Sequence, residues 1–187
     1  MIIYIHGFGS NGEGSKAKAF RKYFKSIEED FIAPSLSYVP ALAIQTLEEL
    51  IESYDEVKLI GSSLGGFYTM YLGDKYNLKS VVINPSIFPY VTLEQCLGQT
   101  PNFYDQSTFE WNKAHIEMLK NYKTKIKNQQ NFMLLSQKGD ELLDYKEAVD
   151  KLLKASLHVE EGGSHSFEKI ERHFENIKKF FYEKHTI

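Results

Sequence analysis

One stretch of the chain, residues 57–67 (VKLIGSSLGGF), constrains its fold more than any other. A short apolar run leads into the pattern G-x-S-x-G, and an apolar helical periodicity begins directly after it. A serine between a strand and a helix must lie in a sharp turn, and Gly61 and Gly65 allow the flanking backbone to approach closely. This arrangement is a nucleophile elbow. It places Ser63 rather than Ser62 at the turn, because only Ser63 has glycines two positions before and after it.

Apolar runs and helical patterns alternate along the chain. The runs expected to form strands are residues 2–5, 31–36, 57–60, 80–84, 132–136 and 157–159. The last helical pattern spaces its apolar residues by three and four from Phe167 to Phe181, so that this helix is expected to pack back on the sheet. Six strands alternating with helices predict an α/β fold with a doubly wound, mostly parallel sheet.

Length and composition limit the organisation and the partners of the chain. A chain of 187 residues, of which 42% are hydrophobic, fits one domain spanning residues 1–187. The net charge of −3 gives no general attraction for nucleic acid, and no window approaches the roughly 18 apolar residues of a membrane span. The single cysteine, Cys96, suits a reducing compartment, so we expect a cytoplasmic protein. No pattern specifies an oligomeric state.

The glycine-rich loop after the first strand, residues 6–14, permits two interpretations. Three of its glycines match the dinucleotide fingerprint G-x-G-x-x-G. However, no acidic residue ends the next strand, and Gly14 would fall inside a helix that should already have begun. The alternative is an oxyanion loop, in which the backbone N–H of Phe8 turns toward the serine. We favour this second interpretation, with the N–H of Leu64 as the other oxyanion donor.

Three reactive side chains follow predicted strands: Ser63, Asp140 and His165. Each alone could be a helix cap, a turn residue or a surface histidine, but the carboxyl ends of parallel strands are where active groups gather. Their chain order, serine then acid then histidine, is that of α/β-hydrolases. Asp144 could supply the acid instead, but it begins a D-x-x-E capping pattern, whereas Asp140 follows its strand directly. The coincidence favours nucleophilic catalysis by Ser63.

Residues 86–131 differ in character from the rest of the chain. They are rich in aromatic residues, end in a lysine-rich helical pattern over 112–127, and are too long for a plain connection. Two interpretations stay open, namely a cap that shapes an acyl pocket over the serine, or helices that cover the sheet. In the first, Phe103 and Trp111 are candidate residues of the substrate pocket.

The remaining histidines and the metal-binding patterns carry less information. The sequence has no H-E-x-x-H motif, cysteine cluster or acidic triplet, so we expect neither a metal nor a cofactor. His6 is interpreted as a hydrogen-bonding brace of its loop, and His115 as a possible substrate contact. His158, His173 and His185 are interpreted as structural or solvated.

Several motifs together resemble those of a known family. They are IYIHGF at 3–8, GSSLGG at 61–66, Asn84-Pro85, GDE at 139–141 with Asp144-Tyr145, and EGGSH at 161–165. In this combination the chain resembles the YqiA-type esterases, small bacterial α/β-hydrolases, over nearly its whole length. The resemblance implies an α/β-hydrolase fold and a carboxylic-ester or thioester hydrolase with Ser63, Asp140 and His165 as its triad. It is weakest over residues 86–131, so it implies no particular substrate.

The residues and the resemblance predict the same function. We expect a cofactor-independent serine esterase that cleaves small-molecule acyl esters or thioesters through an acyl-enzyme on Ser63. One alternative is a catalytically silent binding protein that keeps the α/β-hydrolase fold. Another is an acyltransferase that uses the same triad.

Overall fold

The computed structural model describes residues 1–183, whose strands form one six-stranded sheet and one hairpin. The strands are β1 (Ile2–Ile5), β2 (Phe31–Ile32), β3 (Lys58–Ser62), β4 (Ser80–Ile83), β5 (Gly98–Pro101), β6 (Thr108–Trp111), β7 (Phe132–Gln137) and β8 (Ser156–Glu160). The sheet has the order β2-β1-β3-β4-β7-β8, and each strand is parallel to its neighbours. The predicted α/β architecture is therefore confirmed, with every pairing of this sheet parallel.

Helices cover both faces of the sheet. They are α1 (Ser15–Ser26), α2 (Pro40–Ser53), α3 (Leu64–Lys75), α4 (Pro89–Thr92), α5 (Lys113–Lys120), α6 (Tyr145–Lys151) and α7 (Phe174–Tyr182), with 3-10 turns at Leu93–Cys96, Gln129–Asn131 and Ile170–His173. Alternate strand residues serve the two faces: Ile3 and Leu59 pack with α2 and α3, whereas Ile2 and Ile60 pack with α1 and α7. The continuously apolar strands are buried on both sides, as parallel sheets require.

Two predicted boundaries differ from the structure. The strand predicted over 31–36 ends at Ile32, because Pro34 has no N–H to continue the sheet. The last helix does not include Phe167, since Phe167 and Lys169 have φ angles of 58° and 56° in the left-handed region. Phe167 is nevertheless buried. Its apolar character therefore reflects burial in a turn that precedes the helix.

The segment 86–131 contains α4, the antiparallel hairpin β5–β6 and α5. The hairpin was not predicted, because three of the four β5 residues are exposed and its sequence, GQTP, lacks a strand pattern.

The helix predicted over 112–127 ends at Lys120. The chain beyond it crosses to α3, where the Asp74 carboxylate accepts hydrogen bonds from the Thr124 hydroxyl and the Lys127 N–H at 3.0 and 2.7 Å.

Across residues 1–183 no helix combines the length and the apolar character needed to cross a membrane.

Candidate active site

Ser63 lies in a strained turn between β3 and α3. Its φ and ψ angles are 57° and −122°, a conformation that a non-glycine residue keeps only when its surroundings hold it there. Its N–H donates to the Ile83 carbonyl at 3.1 Å, and its carbonyl accepts from the Ser86 N–H at 3.0 Å. A Cβ on Gly65 would lie 2.1 Å from the Ile5 carbonyl oxygen, so only glycine permits this close approach. The predicted elbow geometry is therefore present.

Asp140 and His165 come from the ends of β7 and β8 and meet Ser63. The His165 Nε2 atom is 3.0 Å from Ser63 Oγ, and its Nδ1 atom is 2.8 Å from Asp140 Oδ2. A carboxylate can only accept, so Nδ1 carries the proton and Nε2 is left to accept the serine proton. The side chains of His165 and Asp140 are 20% and 3% exposed, so the imidazole faces the cleft while the carboxylate is enclosed.

Several hydrogen bonds keep the Asp140 carboxylate ionised. Burial is the largest single influence and raises its pKa, but the His165 ring and the N–H groups of Leu142 and Leu143 lower it more in sum. The net pKa of Asp140 lies below its usual value. Asp144 has a different place, because its side chain accepts from the Lys146 N–H and caps α6. The structure thus brings Asp140, and not Asp144, to the histidine.

The loop that carries His165 is held by a buried amide that sequence reasoning missed. Asn84, directly after β4, donates from Nδ2 to the carbonyls of Ser164 and His165 at 2.9 and 3.2 Å. Its Oδ1 accepts from the Gln137 N–H at 2.9 Å and from the Ser136 hydroxyl at 3.3 Å. One side chain therefore ties the histidine loop to the end of β7. A sequence signal existed, since a polar residue closes an apolar strand there and Asn84-Pro85 belongs to the family motifs.

Two further side chains fix the same loop. The buried Gln137 accepts from the N–H groups of Ser164 and Glu168 at 3.2 and 2.8 Å. Glu141 accepts from the His165 N–H at 3.0 Å. The backbone on both sides of the imidazole is therefore restrained, which limits how far its Nε2 atom can move from the serine.

The hydrogen bonds of His6 fix the loop after β1. His6 accepts the Leu36 N–H at Nε2 (2.9 Å), and its Nδ1 is 2.8 Å from the Gly7 carbonyl, so Nδ1 carries the proton. Burial lowers the pKa of His6, which favours this neutral form. In a trans peptide the N–H points opposite to the carbonyl, so the Phe8 N–H faces away from His6. Leu64, as the first residue of α3, has an N–H without an acceptor inside the helix.

A cleft of about 250 Å³ opens beside Ser63, and it contains only one of the two predicted pocket residues. Phe103, at the tip of the β5–β6 hairpin, lines it, and its N–H donates to the Gly9 carbonyl at 2.8 Å. Trp111 does not line it. Its indole is 1% exposed, packs edge-on against Phe8, and donates from Nε1 to the Leu93 carbonyl at 3.1 Å. Trp111, the last residue of β6, is therefore a core residue.

The lining of the cleft is more polar than a plain acyl pocket would be. Besides Ser63, His165 and Phe103, it includes the polar residues Ser10, Asn11, Ser15, Lys16 and Ser166. Sequence reasoning missed Lys16, because its position in the first turn of α1 resembles that of an ordinary exposed lysine.

The other histidines have structural contacts. His115 closes a capping box with Asn112 at the start of α5 and does not line the cleft beside Ser63. His173 Nε2 is 2.9 Å from the Glu160 carboxylate, and His158 contacts the Ser156 hydroxyl at 3.2 Å. His185 lies outside the described residues. Within residues 1–183, no group of three or more histidine, cysteine or acidic side chains is arranged to hold a metal ion.

Comparison with known proteins identifies relatives that match nearly the whole chain. The family model described as Uncharacterised protein family (UPF0227) matches residues 1–182. The UPF0227 protein YcfP from Escherichia coli O9:H4 is 28% identical over 187 residues, which cover 96% of this chain and 98% of that protein. The predicted resemblance to the YqiA-type family is confirmed by these matches.

Solved structures with the same fold are more distant in sequence. Alpha/beta hydrolase domain-containing protein 10 from mouse superposes with a TM-score of 0.73 at 20% identity, covering 95% of this chain and 86% of that one. The monoacylglycerol lipase of Paleococcus ferrophilus gives a TM-score of 0.68 at 13% identity, covering 96% and 93%. These similarities confirm the α/β-hydrolase fold.

Proposed function

This chain belongs to the Uncharacterised protein family (UPF0227), and we propose that it is a serine esterase that hydrolyses small-molecule carboxylic esters or thioesters. The observation that carries the proposal is the pair of hydrogen bonds that joins Ser63 to His165 and His165 to Asp140. These side chains lie in the segments that follow three different strands, and a merely structural serine or histidine has no need of this alignment. The lipase among the structural neighbours supports a hydrolase on this fold.

In the proposed reaction, His165 Nε2 removes the Ser63 proton as Oγ attacks the carbonyl carbon of the ester. The oxygen of the tetrahedral intermediate accepts hydrogen bonds from the Phe8 and Leu64 N–H groups, and Leu64 also lies at the positive end of α3. His165 then protonates the leaving alcohol or thiol, which leaves an acyl group on Ser63. Water, deprotonated by His165, attacks this acyl-enzyme. The acyl–Oγ bond then breaks, His165 returns the proton to Ser63 Oγ, and the acid is released.

The proposal extends to the organisation of the chain. We propose that the chain is a single α/β-hydrolase domain with residues 86–131 as its insertion, and that the hairpin tip at Phe103 is the part of a cap that meets substrate. The protein acts in the cytoplasm without a cofactor.

Covalent labelling tests the proposal directly. A fluorophosphonate should label the wild-type protein on Ser63, because only an activated serine attacks phosphorus at a useful rate. Ser63→Ala should abolish the label, and Ser62→Ala, which changes the neighbouring hydroxyl, should keep it. A folded wild-type protein that takes no label would instead be a silent binding protein of this fold.

A second measurement separates hydrolysis from acyl transfer. Products of an aryl ester are analysed with and without an added alcohol or amine acceptor. Free acid as the main product in both cases is expected. A new ester or amide that dominates at low acceptor concentration would identify an acyltransferase that uses the same three residues.

A further inference from the structure

One cation lies in the cleft beside the proposed nucleophile. Lys16, in the first turn of α1, lines the same cleft as Ser63 and His165. Its Nζ atom donates to the Ser166 carbonyl at 2.7 Å, and Ser166 directly follows the histidine. Lys16 therefore forms part of the wall of the cleft in which an ester with its carbonyl at Ser63 would lie.

The charge of Lys16 is not neutralised by a direct ion pair. Within residues 1–183, no carboxylate oxygen lies within 4.0 Å of its Nζ atom. An ammonium group has three N–H donors, and the Ser166 carbonyl accepts one of them. Burial lowers the pKa of Lys16 because the charged form loses hydration, while the more distant charge of Asp140 opposes this effect. A half-buried ammonium group with unused N–H donors gains more free energy from binding an anion than a solvated ammonium group does.

The surroundings of Lys16 favour negative charge as well. Gly14 and Ser15, at the start of α1, line the same cleft. No side chain caps this helix end, and its first turn contains no acidic residue. The first N–H groups of a helix have no intrahelical acceptor and form the positive end of its dipole. The hydroxyl groups of Ser10 and Ser15 add donors to the same wall.

We propose that Lys16 and the N-terminus of α1 bind an anionic group of the substrate, a carboxylate or a phosphate, while Ser63 attacks the ester of the same molecule. The proposal rests on the proposed function, because the cleft is the same. It names the substrate class as small acyl esters with one negatively charged end. Lys16 forms no covalent bond in the reaction and determines specificity only.

Matched ester pairs measure this specificity. On the acyl side, the 4-nitrophenyl monoester of glutarate is compared with 4-nitrophenyl valerate, which has the same carbon count but no charge. On the leaving-group side, 1-butyrylglycerol 3-phosphate is compared with 1-butyrylglycerol. The rate with Ser63→Ala is subtracted as background. The wild type should prefer the charged member of at least one pair, and the pair that shows the preference distinguishes a carboxylate from a phosphate.

Variants of Lys16 test whether this residue causes the preference for the charged ester. Lys16→Met should lower the ratio of kcat/KM for charged over neutral ester by about tenfold or more, the scale of a hydrogen bond to a charged group. Lys16→Arg, which keeps the charge, should retain most of the ratio. Lys18→Met, two residues along the same helix and exposed, should leave it unchanged. A ratio that survives Lys16→Met, or falls equally in Lys18→Met, overturns the proposal, because Lys16 would then only brace the Ser166 loop.

A binding measurement separates this proposal from the esterase proposal. Glutarate and inorganic phosphate are titrated calorimetrically into the wild-type, Lys16→Met and Lys18→Met proteins. Binding of one anion that is weakened about tenfold only in Lys16→Met supports the anion site even if no ester is cleaved. Binding of neither anion to the wild type, together with equal rates on both members of each ester pair, rejects the anion site while ester hydrolysis itself stands.

Discussion

The Nε2 atom of His165 lies 3.0 Å from the Oγ atom of Ser63, although 102 residues separate them in the chain. The serine is fixed by the turn between β3 and α3, whereas the histidine lies on a loop without regular structure. Their distance therefore depends on what restrains that loop, namely Asp140 at the ring and Asn84, Gln137 and Glu141 along the backbone.

Asp140→Asn should leave the fold intact but lower kcat by up to roughly 10⁴-fold, because an amide leaves the imidazole in the wrong tautomer. Asp144→Asn is the matched control, and asparagine caps a helix about as well as aspartate, so its kcat should stay near that of the wild type. Steady-state kinetics on one aryl ester compares the two variants. A larger loss in Asp144→Asn would show that the acid has been misassigned.

Asn84→Asp should slow the reaction of Ser63 with a fluorophosphonate by about 10²-fold, the scale expected when a catalytic group is displaced by about 1 Å. The substitution keeps the acceptor for Gln137 but places an oxygen against the carbonyls of Ser164 and His165. Aspartate also tolerates the left-handed backbone found at Asn84, where φ is 39°.

Asn77→Asp is the control for this substitution. Asn77 also has a left-handed backbone, with φ of 52°. Its side-chain oxygen accepts hydrogen bonds from the side chains of Asn128 and Asn131, and aspartate keeps this acceptor. Labelling rates and melting temperatures are measured for both variants. If Asn84→Asp lowered only the melting temperature and labelled at the wild-type rate, Asn84 would be structural and would not position His165.

Phe103→Ala should change the dependence of kcat/KM on acyl length, whereas Trp111→Ala should change the stability of the fold. Phe103 is 67% exposed at the cleft, so its removal should reduce the gain in kcat/KM per added acyl carbon, which is at most about fourfold per methylene, with little change in melting temperature. Trp111 is buried, so its removal should cost about 3–5 kcal/mol of the free energy of unfolding.

Tyr104→Ala is the control for the hairpin tip, since Tyr104 is 64% exposed beside Phe103 but does not line the cleft. Acyl esters of two to ten carbons and melting curves test all three variants. An unchanged chain-length dependence in Phe103→Ala would remove the proposed cap role of the hairpin tip.

Glu160 should make stability depend on pH in the acid range. The hydrogen bond from Gln137 is the main influence that lowers its pKa, burial opposes it, and His173 and Arg172 lower it further. A carboxylate whose folded pKa is below the usual 4.5 stabilises the protein above that pH, and this contribution is lost as the pH falls through the folded value.

Glu160→Gln should therefore lower the melting temperature at about pH 7 and by less at about pH 3, because wild-type Glu160 takes up its proton as the pH falls through its folded pKa. Glu171→Gln, which changes an exposed carboxylate on the nearby 3-10 turn, serves as the control and should show no such pH-dependent difference. Thermal unfolding at both pH values tests this. An equal loss for Glu160→Gln at the two pH values would contradict the assignment.

Features that depend on residues close together in the chain could be predicted from the sequence. Apolar runs indicated the strands, because a parallel strand is buried on both faces. Glycines two positions from Ser63 indicated the elbow, because only they allow the close backbone approach seen at Gly65. Asp140 and His165 were predicted because they follow apolar runs, and the loops that follow parallel strands lie at one edge of the sheet.

Which polar groups meet depends on how the elements pack in the folded chain. It placed Trp111 in the core and Phe103 at the cleft, although both are aromatic residues of one hairpin. It also brought Asn84 to the histidine loop and Lys16 to the cleft, over separations of 81 and 150 residues. Hydrophobic periodicity records only which face of an element is buried, whereas a hydrogen bond depends on distances that are fixed when the helices pack on the finished sheet.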